Sequence, residues 1–105
     1  EVASRGGRLD LARSEAVLED GARVALSERE VDILRYLANN AHRAISRDEL
    51  LSRVWRMDPR GVDTRTIDMH VARLREKLRD DPADPKLLVT VRGRGYLFAP
   101  RKVVR

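Results

Sequence analysis

Cysteine is absent from these 105 residues, which excludes a thiolate metal site and leaves the redox compartment unreadable. No apolar run approaches about 18 residues, so no membrane-spanning helix is expected. No signal peptide is expected before the fold either. Paired carboxylates, a nucleophile–base pair and a metal-ligand cluster are all missing, so an enzyme is not the expected reading and no cofactor or metal is assigned. The two histidines, His42 and His70, stand in different segments. There is also no initiating methionine; the opening Glu1 reads as the start of a piece excised from something longer.

What is present is charge. Charged residues make up 37% of the chain and hydrophobic residues 42%, which suits one folded domain with a heavily decorated surface. The net charge of +5 and pI near 10.4 favour an acidic polymer or anionic surface as partner.

The first quarter alternates short strand-like runs with turn signals. "EVAS", "RLDLA", "EAVLE" and "ARVAL" are separated by Gly6 and Gly7, by Arg13 and Ser14, and by Asp20 and Gly21. The spacing predicts a four-stranded antiparallel meander over residues 1–26. At "LSEREV" the period changes. Ser27 and Glu30 form a capping box, with Leu26 and Val31 at the staple positions. Val31, Ile33, Leu34 and Leu37 then carry a helix to about Asn39. "ISRDEL" repeats the grammar, with Ser46 as cap and Glu49 answering it, for a second helix through about Trp55. A loop broken by Pro59 and Gly61 follows. From Asp63 or Thr64 a third helix runs to about Arg79, its stripe Ile67, Val71, Leu74 and Leu78 at i, i+4, i+7 and i+11. The helices thus fill 27–80. Residues 86–100 read as a hairpin and 101–105 as a tail.

With Ile67 at the centre of the buried stripe, Thr66, Met69, His70, Arg73, Glu76 and Lys77 fall on the flank and far side of the third helix, at about 100° per residue. This mixture suits a major groove, where arginine reads guanine edges and an apolar side chain meets a thymine methyl. The same composition also describes a solvated helix face. The neighbours favour the groove. A shorter helix, a loop, this helix and then a basic hairpin have the layout of a winged helix-turn-helix. The fold class expected is therefore α+β: N-terminal four-stranded antiparallel sheet, three-helix core and C-terminal β-hairpin wing.

The blocks "SEREVDILRYL", "ISRDELLSRVW", "DTRTIDMHVARLREKL" and "TVRGRGYLF" resemble, in order and spacing, the signatures of the OmpR/PhoB-type response-regulator effector domain. The resemblance covers nearly the whole chain. It implies sequence-specific binding to double-stranded promoter DNA in the cytoplasm, by a monomer that pairs on direct repeats. It also implies an N-terminal receiver domain as control partner, outside these residues. A protein-interaction winged helix, or the DNA-binding domain of another kind of multidomain activator, stands as the alternative.

Residue roles follow from the same resemblance. Arg73 aligns with a base-reading position, and Met69 can press on a thymine methyl or simply fill the edge of the core. Arg65, His70 and Arg75 match phosphate-contacting positions, which fix register rather than sequence. Thr66, Lys77 and Thr90 complete the expected DNA-facing set. Trp55 is an aromatic lid on the core whose indole N–H can still reach a phosphate. Arg92 and Arg94 at the wing tip are directed to the minor groove, Arg92 at the family's wing-arginine position. Asp68 is expected to orient an arginine that the sequence does not identify. Tyr96 is expected to pack under the wing. The loop Arg56, Met57, Asp58, Arg60 and Val62 matches the segment family activators present to RNA polymerase. Ala72 departs from relatives that carry arginine there, which implies a smaller or differently tuned footprint.

Overall fold

The computed structural model describes residues 2–4, 7–58, 63–81, 83–99 and 102–103, with side chains for 8–58, 63–81 and 83–99. Four short strands come first: β1 (Val2–Ser4), β2 (Gly7–Asp10), β3 (Glu15–Val17) and β4 (Arg23–Ala25). Each pairs antiparallel with the next, as the turn signals predict. Between β2 and β3 lies a single 3-10 turn, Leu11–Arg13, closed by Ser14 in the left-handed region at φ 55°. At the β3–β4 reversal Gly21 takes φ +88°, a conformation that costs glycine little.

One expectation needs correction. The tail is not a simple extension: β7 (Lys102–Val103) returns to pair with β1, making a five-stranded sheet in the order β4-β3-β2-β1-β7. Two residues carry too little pattern to announce a strand, and the far partner supplies the reason for it. Gly6, Pro59 and Gly61, read as turn signals, lie outside the described residues.

Helix α1 (Glu28–Asn39) starts with the full reciprocal cap. Ser27 Oγ accepts from Glu30 N–H at 3.1 Å, and Glu30 Oε1 accepts from Ser27 N–H at 2.8 Å. Helix α2 (Arg47–Arg53) has only half of the expected box. Ser46 Oγ accepts from Glu49 N–H at 3.0 Å, but the Glu49 carboxylate is taken by the Tyr36 hydroxyl and by Arg43. It also ends earlier than its pattern suggests, leaving Trp55 beyond the last turn. Helix α3 (Arg65–Leu78) starts without a hydroxyl cap from Thr64; Asp63 Oδ1 accepts from Arg65 N–H at 2.9 Å instead.

The stripes read from the sequence converge on one core. Val31, Ile33, Leu34 and Leu37 of α1, Leu50 and Leu51 of α2, and Ile67, Val71 and Leu74 of α3 are buried with Leu9 and Ala16 of the sheet. Each such fully buried large aliphatic contributes about 2 kcal/mol. Buried Asp80 then starts the hairpin. Its two carboxylate oxygens accept from the N–H groups of Lys86, Leu87 and Leu88 at 2.8–3.2 Å.

The wing comprises β5 (Leu88–Val91) and β6 (Gly95–Phe98), paired antiparallel with Thr90 opposite Tyr96. It is seated on the helices through backbone. Ile45 N–H donates to Tyr96 C=O at 2.7 Å, and Tyr96 N–H returns to Ile45 C=O at 2.9 Å. The two glycines therefore serve different ends. Gly93 supplies φ +77° at the tip, with open space around it. At Gly95 (φ +133°) a Cβ would stand 2.0 Å from the Ile45 carbonyl oxygen, so it permits contact rather than a turn. Gly95→Ala is expected to lower stability by about 3 kcal/mol, since backbone must move as well as adopt strain. Gly93→Ala should cost only about 1 kcal/mol. Urea unfolding of both variants checks this, and equal losses would show that Gly95 is merely a turn residue.

Candidate nucleic-acid interface

Helix α3 separates its residues cleanly. Ile67, Val71 and Leu74 are buried, while Arg65, Thr66, Met69, Ala72, Arg73 and Glu76 are exposed, Met69 to 55%. An exposed methionine in the middle of a charged helix face is not core filler, which removes the plainer reading of that residue. His70 is half-buried. Its Nδ1 lies 2.9 Å from the Thr66 carbonyl, which can only accept, so Nδ1 carries the proton. Nε2 is then a lone pair in the neutral ring and a donor only in the protonated one.

Trp55 packs as the lid expected of it. The His70 ring meets it edge-on at 5.2 Å between centroids, and the Arg29 guanidinium lies 4.8 Å from its ring centre. Arg29 also donates to Val54 C=O at 3.0 Å. The stack ties the first turn of α1, the segment just after α2 and the first half of α3 together.

The arginine served by Asp68 is Arg47, at the first position of α2. Its Nε donates to Asp68 Oδ1 at 2.6 Å, and a terminal nitrogen reaches the Tyr96 hydroxyl at 3.3 Å. The Tyr96 hydroxyl donates in turn to Asp68 Oδ1. Burial first, and then this bond to Asp68, push the phenol above its ordinary range. The Tyr96 ring lies between two guanidiniums, Arg47 at 4.9 Å and Arg75 at 5.6 Å from its centre, distances at which cation–π attraction operates. Sequence reasoning missed Arg29 and Arg47. Neither has a local pattern to mark it, since their partners lie 21 to 49 residues away.

Three residues of the expected DNA-facing set, Arg75, Thr90 and Lys77, have partners within the protein. Arg75 turns inward, with Nε and a terminal nitrogen on Leu88 C=O at 2.9 and 2.7 Å and the same nitrogen on Thr90 Oγ1 at 2.7 Å. It joins α3 to β5, and Thr90 is its partner. Lys77 is drawn to the start of α1 and the end of β4, its ammonium 2.6 Å from Glu30 Oε1 and 3.1 Å from Ala25 C=O. Burial works to raise the Glu30 pKa, but Lys77 and the Ser27 N–H outweigh it and hold it below the usual carboxylate value. Arg65 pairs with Asp63 at 2.7 Å at the exposed start of the helix. By contrast, the side chains of Arg73, Arg92 and Arg94 are exposed with no hydrogen-bond or ion-pair partner among the described residues. Of the loop after α2, Arg56, Met57 and Asp58 are exposed, Met57 to 44%. Arg60 and Val62 lie outside the described residues. Among the described residues no group of His, Asp and Glu has metal-binding geometry, and no helix is long and apolar enough to cross a membrane.

Comparison with known proteins gives a consistent picture. The family model described as "Transcriptional regulatory protein, C terminal" matches residues 21–98. The sensory transduction protein RegX3 of Mycolicibacterium smegmatis is 47% identical over 89 residues, covering 85% of this chain and 38% of that protein. The chain thus spans less than half of that relative's length. Among solved structures, the Klebsiella pneumoniae RstA DNA-binding domain in complex with the RstA box superposes with a TM-score of 0.80 at 35% identity, covering 93% and 95% of the two chains. The DNA-binding domain of CpxR from E. coli gives 0.73 at 33% identity, covering 93% and 94%.

The Arg75 clamp is open to test. Arg75→Ala should lower stability by about 2 kcal/mol, because the Leu88 carbonyl and Thr90 hydroxyl lose their donor. Arg75→Lys should recover less than half of that, since one ammonium cannot replace the fork. Amide hydrogen exchange across β5 and β6 should rise beyond the global loss. Unchanged exchange there would mean the clamp does not hold the wing.

Proposed function

The chain belongs to the transcriptional regulatory protein C-terminal family, the OmpR/PhoB-type effectors, and we propose that α3 enters the major groove of double-stranded DNA while the wing tip reaches the adjacent minor groove. The chain is a sequence-specific DNA-binding effector of transcription. One observation carries the assignment of surfaces. The cations of α3 and the wing that are left without partners, Arg73, Arg92 and Arg94, are outward, while Arg47, Arg75 and Lys77 are spent inside the protein.

In this reading Arg73 takes a guanine edge, Met69 meets a thymine methyl and Thr66 contacts the backbone or a base near the helix start. Arg65, His70 and the Trp55 indole supply phosphate contacts that set register. Arg92 lies in the minor groove, whose narrow A·T-rich stretches have enhanced negative potential. The effector binds promoter direct repeats as two copies of a monomer, in the cytoplasm, under control of a receiver domain in the parent chain. The exposed Arg56–Asp58 segment, continued by Arg60 and Val62, is offered to RNA polymerase. The chain acts by binding alone and needs no cofactor.

Arg73→Ala is expected to cost about 1–3 kcal/mol on the preferred site and to relax preference at one base position. With about four phosphate contacts, log K should fall against log salt with a slope of about −4. Titrations on specific and random duplexes measure both. Equal weakening on the two duplexes would make Arg73 a phosphate clamp, and a slope near zero would remove DNA binding.

The wing gives a separate expectation. Arg92→Ala should weaken binding more at sites with A·T-rich flanks than at sites with G·C flanks, and Arg94→Ala should do less. Both should leave stability within about 0.5 kcal/mol of the parent, as exposed tip side chains usually do. Affinities on duplexes differing only in the flanks decide it. If Arg92→Ala binds both flanks as tightly as the parent, the wing is only a structural hairpin.

A further inference from the structure

Glu76 is an unusual side chain to find where it is. It is exposed, seven residues after Met69, and at about 100° per residue the two share one line along α3. Met69 and Glu76 are about 10 Å apart along the axis, within a major groove about 12 Å wide. Arg73 lies one turn before Glu76 on the same face. A carboxylate there faces the phosphates and should be repelled by them.

The usual explanation for such a residue is an ion pair within the protein, and the structure does not provide one. Its cationic neighbours are turned elsewhere: Arg75 to Leu88 and Thr90, Lys77 to Glu30, and Arg79 to Asp20 at 2.8 Å. Arg73, one turn back, makes no bridge to it. The Glu76 carboxylate therefore has no hydrogen-bond or ion-pair partner among the described residues. Glu30, Glu49, Asp63 and Asp68 each hold a cation. Glu28, Asp32 and Asp48 of α1 and α2 hold none among the described residues, and of the two acids in α3 Glu76 alone lacks one.

A lone acceptor on a groove-facing line has one kind of complement in DNA, the exocyclic amine of a base. Cytosine itself presents only N4–H₂ on its major-groove edge, with no acceptor of its own, whereas adenine sets N7 beside its amine, and guanine and thymine present O6 or O4. A carboxylate beside N7, O6 or O4 meets lone pairs. We infer that Glu76 is a specificity-determining residue that accepts a hydrogen bond from cytosine N4 in the major groove. The step from Arg73 to Glu76 is about 4.5 Å of helix rise, close to one base-pair step of about 3.4 Å. The cytosine is thus on the pair next to the guanine read by Arg73. This inference rests on the placement of α3 proposed above.

The test is selection of duplexes from a random pool by the 105-residue chain and by its Glu76→Ala and Glu76→Gln variants. Affinities then follow on duplexes in which that one cytosine is replaced by thymine, adenine or the amine-free analogue 2-pyrimidinone. The parent should lose about tenfold on removal of the amine alone, the scale of one good base contact. Glu76→Ala should flatten that difference to less than about twofold while binding random duplex more tightly, because a charge near the phosphates is gone. Glu76→Gln should move the preference to adenine, whose N6 and N7 an amide can satisfy together. The inference is overturned if Glu76→Ala tightens binding to every duplex by one common factor with the selected sequence unchanged. It is equally overturned if the analogue binds as well as cytosine. Failure of the parent to bind any duplex would instead overturn the DNA-binding reading beneath it, so the two failures are distinguishable.

Discussion

The position of the wing depends on one residue pair, Ile45 and Tyr96, whose backbones exchange two hydrogen bonds at 2.7 and 2.9 Å. That exchange is possible only because Gly95 has no side chain to strike the Ile45 carbonyl. With the backbone held there, the Tyr96 ring lies between Arg47 and Arg75 and its hydroxyl reaches Asp68. A segment entering α2, the first turns of α3 and the second wing strand are thereby joined at one tyrosine. The outward face of α3 and the wing tip have a fixed relation because of it. Such preorganisation spares a binding protein the entropy of ordering its contact residues on the partner.

Charge is distributed by the same packing. The chain carries 22 Lys and Arg against 17 Asp and Glu, so most cations have an acid available, and the fold decides which of them meet. Arg23 finds Glu15, Arg43 finds Glu49, Lys77 finds Glu30 and Arg79 finds Asp20. The exposed pairs among these contribute only about 0–1 kcal/mol each to stability. Their larger consequence is subtractive. Once they are formed, Arg73 on α3 and Arg92 and Arg94 at the wing tip are among the exposed cations left without a partner among the described residues.

Glu30 shows how a cap and an ion pair reinforce one another. It is nearly buried, yet its carboxylate accepts from the Ser27 N–H and from Lys77. Because these partners depress its folded-state pKa, the ionised form contributes stability at neutral pH, and that contribution is lost as pH falls through the folded value. The start of α1, the end of α3 and the Ala25 carbonyl at the end of β4 are held by one side chain and its lysine. The sheet and the helices are therefore locked together at this point as well as at the wing.

Elements were largely legible because their causes are local. The capping box at Ser27, the apolar stripe from Ile67 to Leu78 and the Asp20-Gly21 reversal each act within a few residues, so composition and spacing declare them. The outward face of α3 followed from the same periodicity, and so did Met69 and Arg73 as its exposed members. What tertiary structure alone decided was partnership. Strand β7 exists because β1 is beside it, and Arg75 and Lys77 look like groove residues until Leu88, Thr90 and Glu30 come within reach. Asp68 reveals its arginine only when α2 and α3 cross. A hydrogen bond or ion pair between residues 13 to 59 positions apart leaves no periodic trace in the chain, since it is specified by the packing of whole elements.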